Sequence, residues 1–226
     1  MYRCFVLPLV FISFACFTPA ANAQVSLSFD QSGIFDSIPI DQAYGDRVVS
    51  SPDVNNHAYD IVGLATTPNV EVSYSALDPR LWTTGYGNLT NVYFDETDFS
   101  NAFSLTLDAD SGFEVDLLGF DVAAFGGIDI SVPEIEIRDG DSNVLFSQSS
   151  ALISGSTHTS FDFLDGISAN SLTIEIDLTG LGGASDNIGI DNVSFVQEAV
   201  PEPSSLLILG VAVAGIACKR RRYVAV

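Results

Sequence analysis

Two histidines, His57 and His158, are the only side chains of this 226-residue chain whose ordinary proton affinity lies near neutrality, and both sit in polar, loop-like sequence. A serine nucleophile needs such a base beside it and a strained elbow to expose it, yet no Gly-x-Ser-x-Gly occurs. The three cysteines, Cys4, Cys16 and Cys218, lie in the apolar ends, so residues 24–199 hold no thiol nucleophile, disulfide framework or thiolate zinc site. A glycosidase-type carboxylate pair is defined by its separation in space, which 28 acids in one segment leave undefined. The expectation is a protein without a catalytic centre.

Binding chemistry is easier to place. The stretch "RLWTTGYGNLTNVYF" (80–94) carries the single tryptophan, Trp82, with Tyr86 and Tyr93. Flat aromatic rings stack on the C–H faces of sugars while polar neighbours bind the hydroxyls, so these three form a candidate carbohydrate platform, with an exopolysaccharide as the corresponding partner. The acidic stretch "DGDSN" (139–143) puts oxygen ligands at alternating positions, but Val144 stands where a calcium loop needs its glycine and Ser150 where it needs its glutamate. It reads as a hairpin turn.

Charge narrows the partners further. Residues 24–199 hold three arginines, Arg47, Arg80 and Arg138, against 28 acids, a net charge of −25. Such a surface repels phosphate backbones, which excludes a nucleic-acid role, and is compatible with divalent cations.

The elements that must position these residues are short and alternating. Runs such as "VEVSY" (70–74), "FSLTL" (103–107), "FEVDLLGFDVAAF" (113–125), "IDISV" (128–132), "IEIRD" (135–139), "LTIEIDL" (172–178) and "IGIDNVSFV" (188–196) have period two. In "LTIEIDL", Leu172, Ile174, Ile176 and Leu178 face one way and Thr173, Glu175 and Asp177 the other, as on a sheet laid on a core. About ten such runs, separated by Asp, Asn, Ser and Gly, predict an all-β fold: an antiparallel β-sandwich of the jelly-roll kind over residues 24–199. Residues 31–69 are less regular and read as loops and one strand at an elaborated edge.

Both ends read as addresses. Residues 1–23 have a basic residue, Arg3, an apolar run from Cys4 to Phe17 and "TPAANA", in which Ala21 and Ala23 hold the spacing a signal peptidase reads. This predicts a signal peptide, export through the general secretion machinery and a mature chain that starts near Gln24. At the other end, Pro201, Glu202 and Pro203 cannot enter a helix interior or central strand. Leu206–Cys218 follows as 13 uncharged residues, a short transmembrane helix, and Lys219, Arg220, Arg221 and Arg222 close it as a cytoplasmic stop-transfer cluster.

A Pro-Glu-Pro triplet, a short apolar helix with small residues and an arginine-rich terminus, in that order over residues 200–226, resembles the PEP-CTERM sorting signal. The resemblance implies processing by an exosortase in a Gram-negative bacterium that makes an exopolysaccharide or biofilm matrix. It implies an inner-membrane-anchored intermediate and then a place at the cell surface or in the extracellular matrix. A second resemblance concerns the fold: "IGIDNVSF" (188–195) is similar to the last core strand of carbohydrate-binding, galactose-binding-like jelly rolls. There an aspartate binds a structural calcium beside the first strand, which makes Asp191, with Asp30, the implied calcium ligands.

Overall fold

The period-two runs become strands whose apolar residues meet in one layer. The structure is a computed structural model that describes residues 24–30, 36–63 and 65–200. Strand β1 (Gln24–Leu27) opens the fold, and the irregular segment after it supplies β2 (Ile38–Pro39) and β3 (Asp60–Val62). The regular part follows as β4 (Val70–Ser75), β5 (Pro79–Trp82), β6 (Val92–Asp95), β7 (Ala102–Ala109) and β8 (Phe113–Ala124). It continues through β9 (Ile130–Asp139), β10 (Val144–Ile153), β11 (Thr159–Ala169), β12 (Ser171–Asp177) and β13 (Ile188–Ala199). A 3₁₀ turn, Gly182–Asn187, precedes β13.

Two antiparallel sheets result. One has the order β10-β9-β12-β7-β4; the other runs β11-β8-β13-β6-β5-β2, with β1 added to β13 and β3 to β1. The strand order makes the chain change sheet at most connections from β4 onward, so residues distant in sequence share one core. Leu105, Leu107, Ile135, Ile137 and Ile174 of the first sheet pack with Leu117, Val122, Ile188, Ile190 and Phe195 of the second, all essentially inaccessible to water. Each such side chain contributes about 1.5–3 kcal/mol by leaving water. The fold is the all-β sandwich that the alternation predicts.

Two details differ from the expectation. The 31–69 segment yields two short strands, not one, and both lie at the margin of the larger sheet, β2 on β5 and β3 on β1. The runs 128–132 and 135–139 are one strand, β9, uninterrupted by Pro133. Its pairing with β12 begins only at Glu134, so the proline lies where no second neighbour asks for its missing N–H.

The two ends of the described chain share one pole. Val25 pairs with Phe195, so Gln24 lies at the end toward which β13 runs. There the Val200 N–H donates to the Gly112 carbonyl at 2.9 Å. The expected signal peptide, with its cleavage residues Ala21 and Ala23, lies outside the described residues, as do Pro201–Pro203, the expected transmembrane helix 206–218 and the basic cluster 219–222. Among the described residues no helix is long and apolar enough to cross a membrane.

Candidate functional site

At the opposite pole, where β13 begins, five segments build a small aromatic box. Strand β5 ends on Trp82 and the loop after it carries Tyr86. Strand β6 gives Phe94, with Glu96 just beyond; Phe125 follows β8, and the 3₁₀ turn supplies Asp186 and Asn187. These residues line a cavity of about 80 Å³. Backbone bonds lock the segments together: Phe125 N–H donates to the Asn187 carbonyl at 2.9 Å, and Gly126 N–H to the Gly85 carbonyl at 2.9 Å. Gly87 is required here, since its φ is +53° and a β-carbon would stand 1.6 Å from the Thr157 carbonyl oxygen.

The four rings form a closed circuit. Trp82 meets Phe94 at 5.9 Å and 90° and Phe125 at 5.8 Å and 80°, while Tyr86 meets the same two rings at 5.8 Å and 5.3 Å. The two edge-to-face pairs of Trp82 add about 0.5–1.5 kcal/mol each beyond their buried area, and the tilted pairs of Tyr86 close the box as a packed unit. With Leu89, Val92 and Ala123 the rings form a cluster separate from the main core. The Tyr86 hydroxyl donates to the Asp186 carbonyl at 2.5 Å, and burial, with Asp186 and Glu96 nearby, keeps that phenol protonated well above the usual range.

Two polar atoms of the box lack a partner. The indole N–H of Trp82 and Oδ1 of Asp186 are both buried without a hydrogen bond, and native folds leave such groups unmade only rarely. Burial also pushes the Asp186 carboxyl up, reinforced by the charges of Asp98 and Glu96. Two larger clefts, of about 360 Å³ at the β9–β10 turn and about 280 Å³ beside Asp121 and Asn192, contain no such orphaned atom.

Of the three residues proposed as a carbohydrate platform, the structure brings together Trp82 and Tyr86 and removes Tyr93. Tyr93 is 0% exposed, points into the main core against Tyr74 and Phe103, and donates to the Ser104 carbonyl at 3.1 Å. Alternation along β6 is the reason: Tyr93 faces the sandwich, while Phe94 takes the outer position in the box. Nor is the arrangement an open flat face, because Tyr86 is 2% exposed and the rings stand edge to face. Sequence reasoning missed Phe94, Glu96, Phe125, Asp186 and Asn187. Their signal lies in the glycine-rich turns "TTGYG", "FGG" and "GGASDN" that bracket them.

Of the implied calcium ligands, Asp30 follows β1 and Asp191 sits at another point of β13. Its register shifts between Asp191 and Ser194, and Asn192 takes a left-handed φ of 52°. Asp191 is 3% exposed, and burial, with the charges of Asp30, Asp121 and Asp60, pushes its carboxyl up to about 9 against the Asn192 N–H bond at 2.7 Å. Asp30 is exposed and accepts from the Asn91 amide. Hard oxygen donors of this kind suit calcium, and Asp191 with Asp30 would hold it as a purely structural ion. Among the described residues no three His, Cys, Asp or Glu side chains converge as a metal set, so carbonyl or water oxygens would have to complete the sphere.

The histidines and the acidic turn are placed as follows. His57 is buried between Asp53, at 3.1 Å from Nδ1, and Asp41, at 3.3 Å from Nε2. His158 lies 2.8 Å from Oδ1 of Asn88. Asp139 caps the β9–β10 hairpin by accepting the N–H groups of Asp141 and Asn143 at 3.0 and 2.8 Å.

Comparison with known proteins locates a motif at the C-terminal end. Residues 199–222 match the PEP-CTERM protein-sorting motif. No curated protein matches the chain. Among solved structures, the Stig cyclase Fisc from Fischerella sp. TAU, in complex with (3Z)-3-(1-methyl-2-pyrrolidinylidene)-3H-indole, is similar at 17% identity and a TM-score of 0.40, covering 79% of this chain and 100% of that one. An apo cyclase from Fischerella sp. is similar at 15% identity and the same TM-score, covering 79% of this chain and 98% of that one.

Proposed function

From the PEP-CTERM protein-sorting motif that this chain carries at residues 199–222, we infer that it is a non-enzymatic protein of the cell surface or extracellular matrix. In this reading a signal peptidase releases the chain near Gln24, and an exosortase of a Gram-negative host processes the C-terminus. The product then associates with exopolysaccharide or biofilm. The sorting motif itself marks an exported protein that passes through a membrane-anchored sorting intermediate.

One observation carries the reading: the motif starts where the last described strand ends. Ala199 is the last residue of β13, paired with Phe113, and Val200 makes its backbone bond to Gly112. Pro201 is the next residue, so removal of everything beyond it would leave every described strand pairing intact. The test is the intact mass of the protein from cells with and without the exosortase. The expected mass is that of a chain from near Gln24 to near Pro201–Pro203, found only when the enzyme is present; a tail retained in both strains refutes the reading.

A second reading, a carbohydrate-binding module, is favoured by the aromatic box. Rings that flank a cavity with two unmatched polar atoms have the composition of a sugar subsite.

A further inference from the structure

We propose that the box formed by Trp82, Tyr86, Phe94 and Phe125 binds the ammonium group of an unacetylated amino sugar, with the Asp186 carboxylate receiving the cation and the Trp82 indole N–H bonding a neighbouring hydroxyl oxygen. The inference rests on the carbohydrate-binding reading and specifies its ligand.

Three observations lead to it. First, the unmatched atoms are complementary: Asp186 Oδ1 asks for a donor and Trp82 Nε1 for an acceptor, within one lining. A group that supplies only acceptors or only donors leaves one of them orphaned, whereas an amine beside a hydroxyl satisfies both.

Second, the electrostatics select a cation. Burial pushes the Asp186 carboxyl up, the nearby charges of Asp98 and Glu96 add to that, and no lysine, arginine or histidine lines the cavity. Among the described residues no ion pair engages any of the three; the Glu96 carboxylate accepts only the Ser37 hydroxyl, at 2.8 Å. An incoming ammonium relieves that repulsion, and the surrounding aromatic rings add the attraction of their quadrupoles for a cation.

Third, the size selects an edge and not a whole ring. At about 10–15 Å³ per water-sized group, a cavity of about 80 Å³ admits roughly six such groups. That fits an amine, its carbon and the adjoining hydroxyl, with the rest of the sugar outside. An N-acetyl group adds bulk, removes the charge and puts a carbonyl near Asp186.

The chemistry of an amine next to a hydroxyl also occurs in ethanolamine headgroups, so the experiment separates the two sources. Trp82 is the only tryptophan, and its fluorescence reports the box without labelling. The full chain in mild detergent is titrated with glucosamine, glucose, N-acetylglucosamine and ethanolamine. Glucosamine should give a saturable change, at least ten-fold tighter than each of the others. Asp186→Asn should weaken glucosamine at least ten-fold at unchanged melting temperature. Trp82→Phe keeps a ring, loses the donor and should show the same weakening by calorimetry.

Glucose as tight as glucosamine overturns the cation and leaves the carbohydrate reading standing. Equal binding of ethanolamine overturns the sugar as the source. No saturable response to any sugar overturns both readings, and undiminished binding by a folded Asp186→Asn variant overturns the role of Asp186.

Discussion

Asp95 offers the sharpest test of how the fold supports the aromatic box. The residue is 0% exposed, at the end of β6, and its carboxylate accepts four bonds: Leu77 N–H at 3.1 Å, Asp78 N–H at 3.0 Å, Thr97 N–H at 3.0 Å and Ser100 Oγ–H at 2.7 Å. The network continues, since Ser100 N–H donates to Ser185 Oγ, whose hydroxyl donates to the Thr97 carbonyl. Ser185 adjoins Asp186, so one buried carboxylate holds both the loop bearing Glu96 and the turn bearing Asp186. Asp95→Asn leaves Oδ1 for Asp78 and Thr97 but turns an NH₂ toward the Leu77 N–H. Orphaning that donor costs about 1–3 kcal/mol, and the remaining bonds lose their charge assistance, for a total of about 3 kcal/mol. For a domain of this size that is a fall of about 6–12 °C in melting temperature.

The same residue sets a pH signature. Burial pushes the Asp95 carboxyl up, but the bonds from Ser100, Asp78, Thr97 and Leu77 outweigh it and hold the group below the usual carboxylate range. A lowered value in the fold means stabilisation that is present above the ordinary carboxylate range and lost as pH falls through the lowered value. The gap between the parent and Asp95→Asn should therefore be full at pH 7 and close in acid, read from urea melts by circular dichroism. A gap below about 1 kcal/mol at pH 7, or one unchanged down to pH 3, refutes the argument.

Two further tests address other sites. The Asp191 carboxyl is pushed up to about 9, so the metal-free protein should lose stability as pH rises from about 4 to about 9, and Asp191→Asn should abolish that slope in chelator-treated samples. Added calcium should raise the melting temperature of the parent and not of this variant, as followed by differential scanning calorimetry. Gly87→Ala places a methyl 1.6 Å from the Thr157 carbonyl oxygen and should lower the melting temperature well beyond Gly112→Ala, which meets open space and carries only the left-handed strain of about 1–2 kcal/mol.

Much of the sandwich was legible because alternation is a local property. The runs containing Leu172, Ile174 and Ile176, or Leu105 and Leu107, bury those residues as period two dictates. The runs 128–132 and 135–139 join across Pro133 because the tolerance of a proline depends on whether a neighbouring strand reaches that far. Trp82 and Tyr86, which line one cavity, were legible as candidates by residue type, but Tyr93 was not separable from them. Only the pleat of β6, and the sheet it packs on, decides which of Tyr93 and Phe94 faces inward. Asp186 and Phe125 were illegible for another reason: the strand order brings together segments about 40 to 100 positions apart in sequence.

The course of β13 has a consequence for ligand access. Its 12 residues, at about 3.3 Å each, separate the box at Ile188 from Val200 by about 40 Å. That span is several times the ~8 Å over which surface charge is felt at physiological ionic strength. A bilayer that holds the chain at the Val200 pole would leave the box in bulk solvent, beyond the field of the headgroups. Cutting the tether would then alter where the protein travels without altering what it binds, and anchored and released forms should titrate identically.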